Sequence, residues 1–305
     1  MNDIEKHILE EVADLHEVPM GAYNFRVNSK LDARNTTENV DIRTKEDGTG
    51  IDIIVKPGTK KESVHIPVVL SASGLKETVY NDFYIGEGAD VLIVAGCGIH
   101  NCGDQDSEHD GVHRFFLEKG ARVKYVEKHY GEGDGNGKRI LNPVTEVTMG
   151  ENSYMEMEMV QIAGVDSTER KTVAVLGDGA NMVVHERLMT HGTQSAVSEY
   201  TVELNGVNSS TNVVSRSVAK EKSFQKFISV LHGNNKCSGH SECDSIIMDE
   251  AHIEAIPEII ANSTEAALIH EAAIGKIAGE QITKLRTLGL TEAEAEEQIV
   301  NGFLK

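Results

Sequence analysis

Gly120-Ala121-Arg122-Val123-Lys124-Tyr125-Val126 reads as a tight turn feeding a short strand, with apolar residues at every second position. The same punctuation recurs along the chain. Gly88-Ala89-Asp90 leads into Val91-Leu92-Ile93-Val94, and Gly150-Glu151-Asn152 into Tyr154-Met155-Glu156-Met157-Glu158-Met159. Gly179-Ala180-Asn181 leads into Met182-Val183-Val184-His185, and Gly206-Val207-Asn208 into Thr211-Asn212-Val213-Val214. These glycines stand 27 to 32 residues apart, the interval of a structural repeat. No helical periodicity lies between them, so the units are not βαβ. The pattern predicts a mainly β solenoid, a β-helix in which each coil buries its inward residues against its neighbours. A β-sandwich is the alternative that the pattern leaves open. Met155, Met157 and Met159 read as the core-facing side of one strand rather than a metal-binding stripe.

Working outward, Ile51, Ile53 and Val55 alternate, as do Val64, Ile66 and Val68, so the solenoid is expected over residues 49–249. Before it, Asp3 to His16 predicts an amphipathic helix with Ile4, Ile8, Val12 and Leu15 on one side, closed by Val18-Pro19. Asn28 to Gly50 is polar and reads as a surface segment or edge arm; with the helix it makes up residues 1–48. Gly131 to Gly137 has nothing to pack and is expected to be a mobile loop. It is no phosphate loop, since it carries Glu132 and Asp134 and its Lys138 is not followed by Ser or Thr. After Asp249, Ile253, Ile256, Ile259 and Ile260 lead towards a helix over 272–288 with Ile274, Ile277, Ile282 and Leu285 buried and Gly289 as C-cap. Thr291 and Glu294 form a capping box for a last helix with Ala295, Ile299 and Val300 on its inner side. Residues 250–305 are therefore expected to form a helical domain.

Composition narrows the function. A net charge of -20 argues against nucleic acid or an anionic membrane surface as partner, and suits a basic partner or a cation. No apolar run approaches the ~18 residues of a membrane span, and Met1 to Val12 has no signal-peptide core. Four cysteines in 305 residues make no disulfide framework, so the expectation is a cytoplasmic protein with reduced thiols.

Two of those thiols, Cys237 and Cys243, lie in Cys237-Ser238-Gly239-His240-Ser241-Glu242-Cys243-Asp244-Ser245. Carboxylates beside Cys243 raise its pKa, which suits a metal or cluster ligand better than a catalytic thiolate. A buried inert thiol is the other reading of Cys243; Cys237, in a turn, is a weaker ligand candidate. His270-Glu271 is an acid–base pair, a metal site or a helix cap. Cys97-Gly98-Ile99-His100-Asn101-Cys102, followed by His109 and His113, offers a second, weaker metal candidate, with the histidines sharing one side if the segment is helical. There is neither a Gly-x-Ser-x-Gly nor a His-Glu-x-x-His signature of a hydrolase.

From about Thr49 to Lys305 the chain resembles the SufB/SufD family of iron–sulfur cluster assembly proteins. Ser241-Glu242-Cys243-Asp244-Ser245 looks like the family's T-x-C-D-S segment, Ala255-Ile256-Pro257-Glu258-Ile259 like its A-x-P-x-L, and Ile269-His270-Glu271-Ala272-Ala273 like its E-H-E-A-T. Gly289-Leu290-Thr291-Glu292-Ala293 and Val300-Asn301-Gly302-Phe303 are similar to its R-G-I-S-E and V-N-G-F elements. The resemblance implies a right-handed parallel β-helix followed by C-terminal helices. It implies a non-enzymatic scaffold that builds a transient iron–sulfur cluster and passes it to apo-proteins. It also implies docking of an ABC-type ATPase, SufC, on those helices, with Asn301, Gly302 and Phe303 as contact residues. A cysteine desulfurase or other sulfur donor is implied as a further partner, and so is pairing as a homodimer or with a related subunit.

The SufB branch's essential Cys and Glu fall on Cys243 and Glu271, which points to a short, SufB-like form. The resemblance makes Cys243 the principal sulfur acceptor and ligand and Glu271 the second, with His270 and Cys237 as weaker ones. Ile269 replaces the first Glu of E-H-E-A, and the long N-terminal region of full SufB has no counterpart. A SufD-like structural partner without a cluster, and a metal-dependent hydrolase or lyase on a β-helix, are the alternatives.

Overall fold

Period-two alternation makes nearly every segment between 22 and 275 a strand. The computed structural model describes residues 2–13 and 19–305. Strands make up 58% of it and wind into a β-solenoid of about eight turns, with three short helices. Each full coil contributes one strand to each of two sheets. The first sheet runs, in spatial order, Lys30–Asn35, Ala22–Val27, Lys60–His65, Asp90–His100, Arg122–Glu132, Tyr154–Ala163, Asn181–Thr190, Ser210–Ala219, Ser238–Ile247 and Ala267–Gly275. The second runs His252–Ala261, Phe224–Gly233, Ser195–Leu204, Ser167–Leu176, Arg139–Leu141, Ser107–Leu117, Lys76–Ile85, Gly50–Val55 and Val40–Thr44, and Val144–Met149 bridges two of these. Between coils the pairing is parallel and in register, which decides for the β-helix over a sandwich of antiparallel hairpins.

The repeating position is a left-handed one. Gly88, Gly120, Asn152, Gly179 and Asn208 have φ of 63°, 64°, 55°, 63° and 58°. Only glycine and asparagine adopt this readily, so Asn152 and Asn208, not Gly150 and Gly206, mark their coils. The next residue turns into the core: Ala89, Ala121, Ser153, Ala180 and Ser209 are all buried, as is Cys237, which holds the same place before the strand that starts at Ser238. The opposite corner uses Gly192, Glu221 and Asp249 at φ near 60°, a signal that residue type does not advertise.

Because neighbouring coils are in register, inward side chains form columns across the sheets. One column of the first sheet reads Val91, Val123, Met155, Met182, Thr211, Gly239, Leu268. Another reads Ala95, Glu127, Met159, Glu186, Ser215, Cys243, Ala272. Met155, Met157 and Met159 are fully buried core residues, as their spacing predicts.

Helix α1 (Asp3–Ala13) lies outside the barrel, with Ile8 and Val12 over strand Asp90–His100. The last residues of the expected helix, 14–16, and Val18 lie outside the described residues. The polar stretch 28–50 does form an edge arm: Lys30–Asn35 and Val40–Thr44 pair antiparallel and end the two sheets.

Two expectations fail. The helix over 272–288 is replaced by strand Ala267–Gly275 and helix α2 (Gly279–Thr287). The solenoid thus continues 26 residues past Asp249, to Gly275, before any helix begins. Ile253, Ala255 and Ile259 alternate inward in one strand, and Leu268, His270 and Ala272 in the other; outward isoleucines at 256 and 260 gave the run its helical look. The last helix, α3 (Glu292–Phe303), carries the predicted Thr291/Glu294 capping box, and Gly289 follows α2 with φ 98°.

The Gly131–Gly137 segment is not a free loop either. Gly135 and Gly137 donate to the carbonyls of Asn101 and Gly103 at 3.1 and 2.9 Å. A Cβ on Gly133, Gly135 or Gly137 would sit 2.1–2.4 Å from that backbone. The glycines are there because two loops stack without room for side chains.

Candidate functional site

The last coil, strands Ser238–Ile247 and Ala267–Gly275, carries the residues singled out by their chemistry. In the first of these strands small residues at odd positions point inward and His240, Glu242 and Asp244 point outward. Cys243 is therefore interior, 1% exposed, with its Sγ 3.7 Å from the Ser245 hydroxyl. Burial, chiefly, pushes its thiol up to about 11; Glu186 and Asp244 add to the effect. The raised pKa expected from sequence is present, but desolvation causes most of it.

His270 also faces inward, stacked on Ser241 in the register Ser241↔His270. Both its ring nitrogens are buried without a hydrogen-bond partner, as is the Ser241 hydroxyl. Burial lowers its pKa, so a neutral imidazole with a free lone pair stands one position from the Cys243↔Ala272 pair. An orphaned imidazole and a thiol on adjacent interior positions fit a soft or borderline metal centre.

Glu271 faces the other way. It pairs laterally with Glu242 on the outer side of the sheet, and its carboxylate lies 3.4 Å from His240 Nε2. Strand parity therefore separates Cys243 from Glu271, and the two do not meet in one ligand set. Glu271 instead joins His240 and Glu242, whose donor atoms all lie within 4.8 Å of one another. His240 Nδ1 is tied to Asn212 Oδ1 at 2.8 Å, which leaves Nε2 facing the two carboxylates. Nor does either residue of His270-Glu271 cap a helix, since α2 begins eight residues after Glu271. Cys237 is the corner residue of its coil, buried at 6% exposure, six residues and roughly 20 Å of strand from Cys243, too far to share an ion with it.

The Cys97–His113 constellation is also divided by parity. Cys97 is interior, and its segment is strand, not helix. Burial opposes its ionisation, but hydrogen bonds and charge from His109 and His129 outweigh it and bring the thiol to about 7. His109 bonds Glu77 at 2.9 Å, and Glu77 meets Arg26 at 3.0 Å. His100 and Cys102 lie outside this group. The strand's even spacing still puts His109 and His113 on one side, where His113 bonds the Tyr125 hydroxyl at 2.6 Å.

The interior holds charged residues that sequence reasoning missed. Arg170, from the second sheet, bonds Glu127 of the first at 2.9 Å and lies 3.7 Å from Glu186. Glu186 accepts from Ser198, Tyr200 and Ser215 at 2.6, 3.0 and 2.6 Å. The available signal was parity: Glu127 and Glu186 occupy positions where neighbouring coils carry Ala95 and Met159. Near the C-terminus, Phe303 packs beside Val218, Val300 and Leu304, while Asn301 and Gly302 are exposed.

These groups give stability a defined acid limb. Glu77 is held at about 2 and Glu127 well below the carboxylate range: burial opposes ionisation, but His109 and Arg26 outweigh it at Glu77, and Arg170 and His129 at Glu127. Burial takes His113 down to about 4. Depressed carboxylates stabilise above the unfolded value of 4.5, and that stability is lost as pH falls towards the folded value. His113 acts in the same direction, because the unfolded chain takes its proton first below 6.5. Near pH 6.5 the raised His109 and His129 oppose His113, and once the unfolded chain has charged them they add no slope, so the urea midpoint is expected to fall from somewhat below pH 6.5 to pH 2. A midpoint that stays flat between pH 6.5 and 4 would mean that His113 is hydrated.

Residues 76–303 match the family model described as SUF system FeS cluster assembly, SufBD core domain. The chain is 30% identical over 255 residues to an iron-sulfur cluster assembly SufBD family protein of Methanothermobacter thermautotrophicus, covering 82% of this chain and 60% of that one. It is 26% identical over 259 residues to a SufBD family protein of Methanocaldococcus jannaschii, covering 83% and 79%. It is 27% identical over 227 residues to the iron-sulfur cluster assembly protein SufB of Bacillus subtilis, covering 72% and 47%. The chain thus spans 60% of the first relative's length and about half of the Bacillus protein's. Among the described residues no helix is long and apolar enough to cross a membrane. By the family model and these relatives together, the chain belongs to the SufBD family of iron–sulfur cluster assembly proteins.

Proposed function

We propose that the chain is a scaffold on which an iron–sulfur cluster is assembled and from which it passes to apo-proteins. The observation that carries this reading is the last coil. It brings a buried thiol and an unpartnered imidazole, Cys243 and His270, to the uncapped end of the solenoid. The cluster is cargo here, and the interior pair supplies soft and imidazole donors to it. His240, Glu242 and Glu271, on the outer side of the same two strands, suit a hard or borderline cation such as ferrous iron before its incorporation.

The partners follow from the same end of the molecule. Strands His252–Ala261 and Ala267–Gly275 are the free edges of their sheets, and Ile256, Ile259, Ile269 and Ile274 are exposed along them. A second copy of this chain or a related subunit seated there would complete the ligand set. Helices α2 and α3, with Asn301 and Gly302 exposed, are the docking element for an ABC-type ATPase. A sulfur donor supplies the sulfide, and the setting is cytoplasmic.

The test is anaerobic reconstitution with ferrous iron and sulfide. Cys243→Ser is expected to abolish the visible absorbance and the protein-bound sulfide of the reconstituted chain. A Cys243→Ser protein that keeps both would sink the assignment. A second reading, a SufD-like partner that carries no cluster, is favoured by the opposite facing of Cys243 and Glu271. It predicts a colourless wild-type protein after reconstitution that still binds the ATPase.

A further inference from the structure

Towards the N-terminal half of the solenoid the chain builds a relay that the assembly reading does not use. Cys102 is exposed, and its Sγ lies 3.0 Å from His100 Nε2. His100 Nδ1 lies 2.9 Å from Glu132 Oε1. Glu132 is itself fixed, since its other oxygen accepts from the Tyr130 hydroxyl at 3.2 Å and stands 3.6 Å from His7 of α1. Register explains the arrangement: Glu132 is the lateral partner of His100, and Cys102 follows two residues on, so all three reach one surface. The stacked 101–105 and 133–137 backbones hold Cys102 against that surface. With Nδ1–H given to Glu132, His100 keeps its Nε2 lone pair for the thiol proton. A nucleophile, a base and a group that orients the base stand in hydrogen-bond sequence.

We propose that Cys102 is a base-activated nucleophilic thiol whose substrates are sulfur–sulfur bonds. His100 takes the thiol proton as Sγ attacks, and Glu132 is the positioning residue that orients the imidazole. With a persulfide, R–S–S–H, the new bond joins Cys102 to the outer sulfur. The S–S bond of the persulfide breaks, and the thiolate R–S⁻ leaves and takes up the proton from His100. The products are Cys102–S–S–H and R–S–H, with no net redox change. With a disulfide, R–S–S–R, the same steps give Cys102–S–S–R and R–S–H. Asp134 is a further neighbour of the thiol, and contact with Cys102 holds its carboxyl below the usual range. Its carboxylate opposes negative charge on the sulfur, so removing that charge is expected to speed attack. Cys102 sits five coils from Cys243, roughly 24 Å along the solenoid axis, so this chemistry does not depend on the cluster site.

The experiment treats the folded chain with oxidised glutathione or with glutathione persulfide and follows each cysteine by peptide mass spectrometry. Cys97, Cys237 and Cys243 are buried, so native-state modification reports Cys102. The expected product is a glutathione adduct in the first arm or one added sulfur atom in the second, and the faster arm identifies the source. His100→Asn is expected to slow the reaction about 100-fold, the scale of general-base assistance. Glu132→Gln should slow it less, and Asp134→Asn should speed it. Cys243→Ser should leave it unchanged, which separates this proposal from the scaffold reading. Unchanged thermal melts of the variants exclude a folding effect. Equal rates in wild type and His100→Asn in both arms, or labelling that spares Cys102, would overturn the proposal.

Discussion

Arg170→Met is expected to cost about 3–5 kcal/mol of folding stability, read as a lower urea midpoint with an unchanged slope. Arg170 is 4% exposed and is the cation between two buried carboxylates from the opposite sheet, Glu127 and Glu186. Removing it leaves both acids desolvated. Glu127 keeps His129, whose Nε2 lies 2.8 Å away, and the neighbouring Tyr125 hydroxyl, and Glu186 keeps hydroxyl donors. The net worth of such a network against apolar residues is small, because desolvating three ions offsets most of their attraction. The large effect comes from breaking it on one side. Neutralising the partners as well, in Arg170→Met/Glu127→Gln/Glu186→Gln, is therefore expected to recover most of the loss. If the single variant does not fold, recovery of a folded triple variant makes the same point. A single-variant loss under about 1 kcal/mol would mean that water reaches this part of the interior.

The network also explains what could be read from sequence. The coils of the first sheet were legible because a left-handed turn admits few residue types, and Gly88, Gly120 and Gly179 announce it. The alternate strands were not, since their turns place Glu221 and Asp249 at positive φ. The C-terminal strands were hidden by outward isoleucines that mimic helical spacing. The same misreading hid the orientation of Glu271. Once 267–275 is a strand, Leu268, His270 and Ala272 fix the inward parity and Glu271 must point out. Residue chemistry found Cys243, His270 and Glu271; only parity tells which of them meet. For Cys243 that information was present in sequence, because Ser241, Cys243 and Ser245 alternate with His240, Glu242 and Asp244.

Parity makes a second large prediction, that iron binding and cluster formation separate by sheet side. His240→Ala/Glu271→Gln is expected to weaken anaerobic ferrous iron binding to the sulfide-free chain by at least ~10-fold, measured by isothermal titration, since it removes two of three donors. Cys243→Ser and His270→Ala should leave that binding within about twofold, because neither side chain reaches the outer surface of the sheet. In reconstitution with sulfide the order inverts. Cys243→Ser and His270→Ala are expected to lose the cluster, whereas His240→Ala/Glu271→Gln is expected to slow its formation and, given excess iron, still to reach it. The alternative is that the last strand re-registers by one residue during assembly, which would turn Glu271 inward beside Cys243. That slip would expose His270 and break the pairing of Ser238–Ile247 with Ala267–Gly275, since this is an edge strand with no further coil to hold it. Under it, Glu271→Gln alone would abolish the cluster as completely as Cys243→Ser. A slow but complete cluster in Glu271→Gln supports two separate sites, and an abolished one replaces them with a moving edge strand.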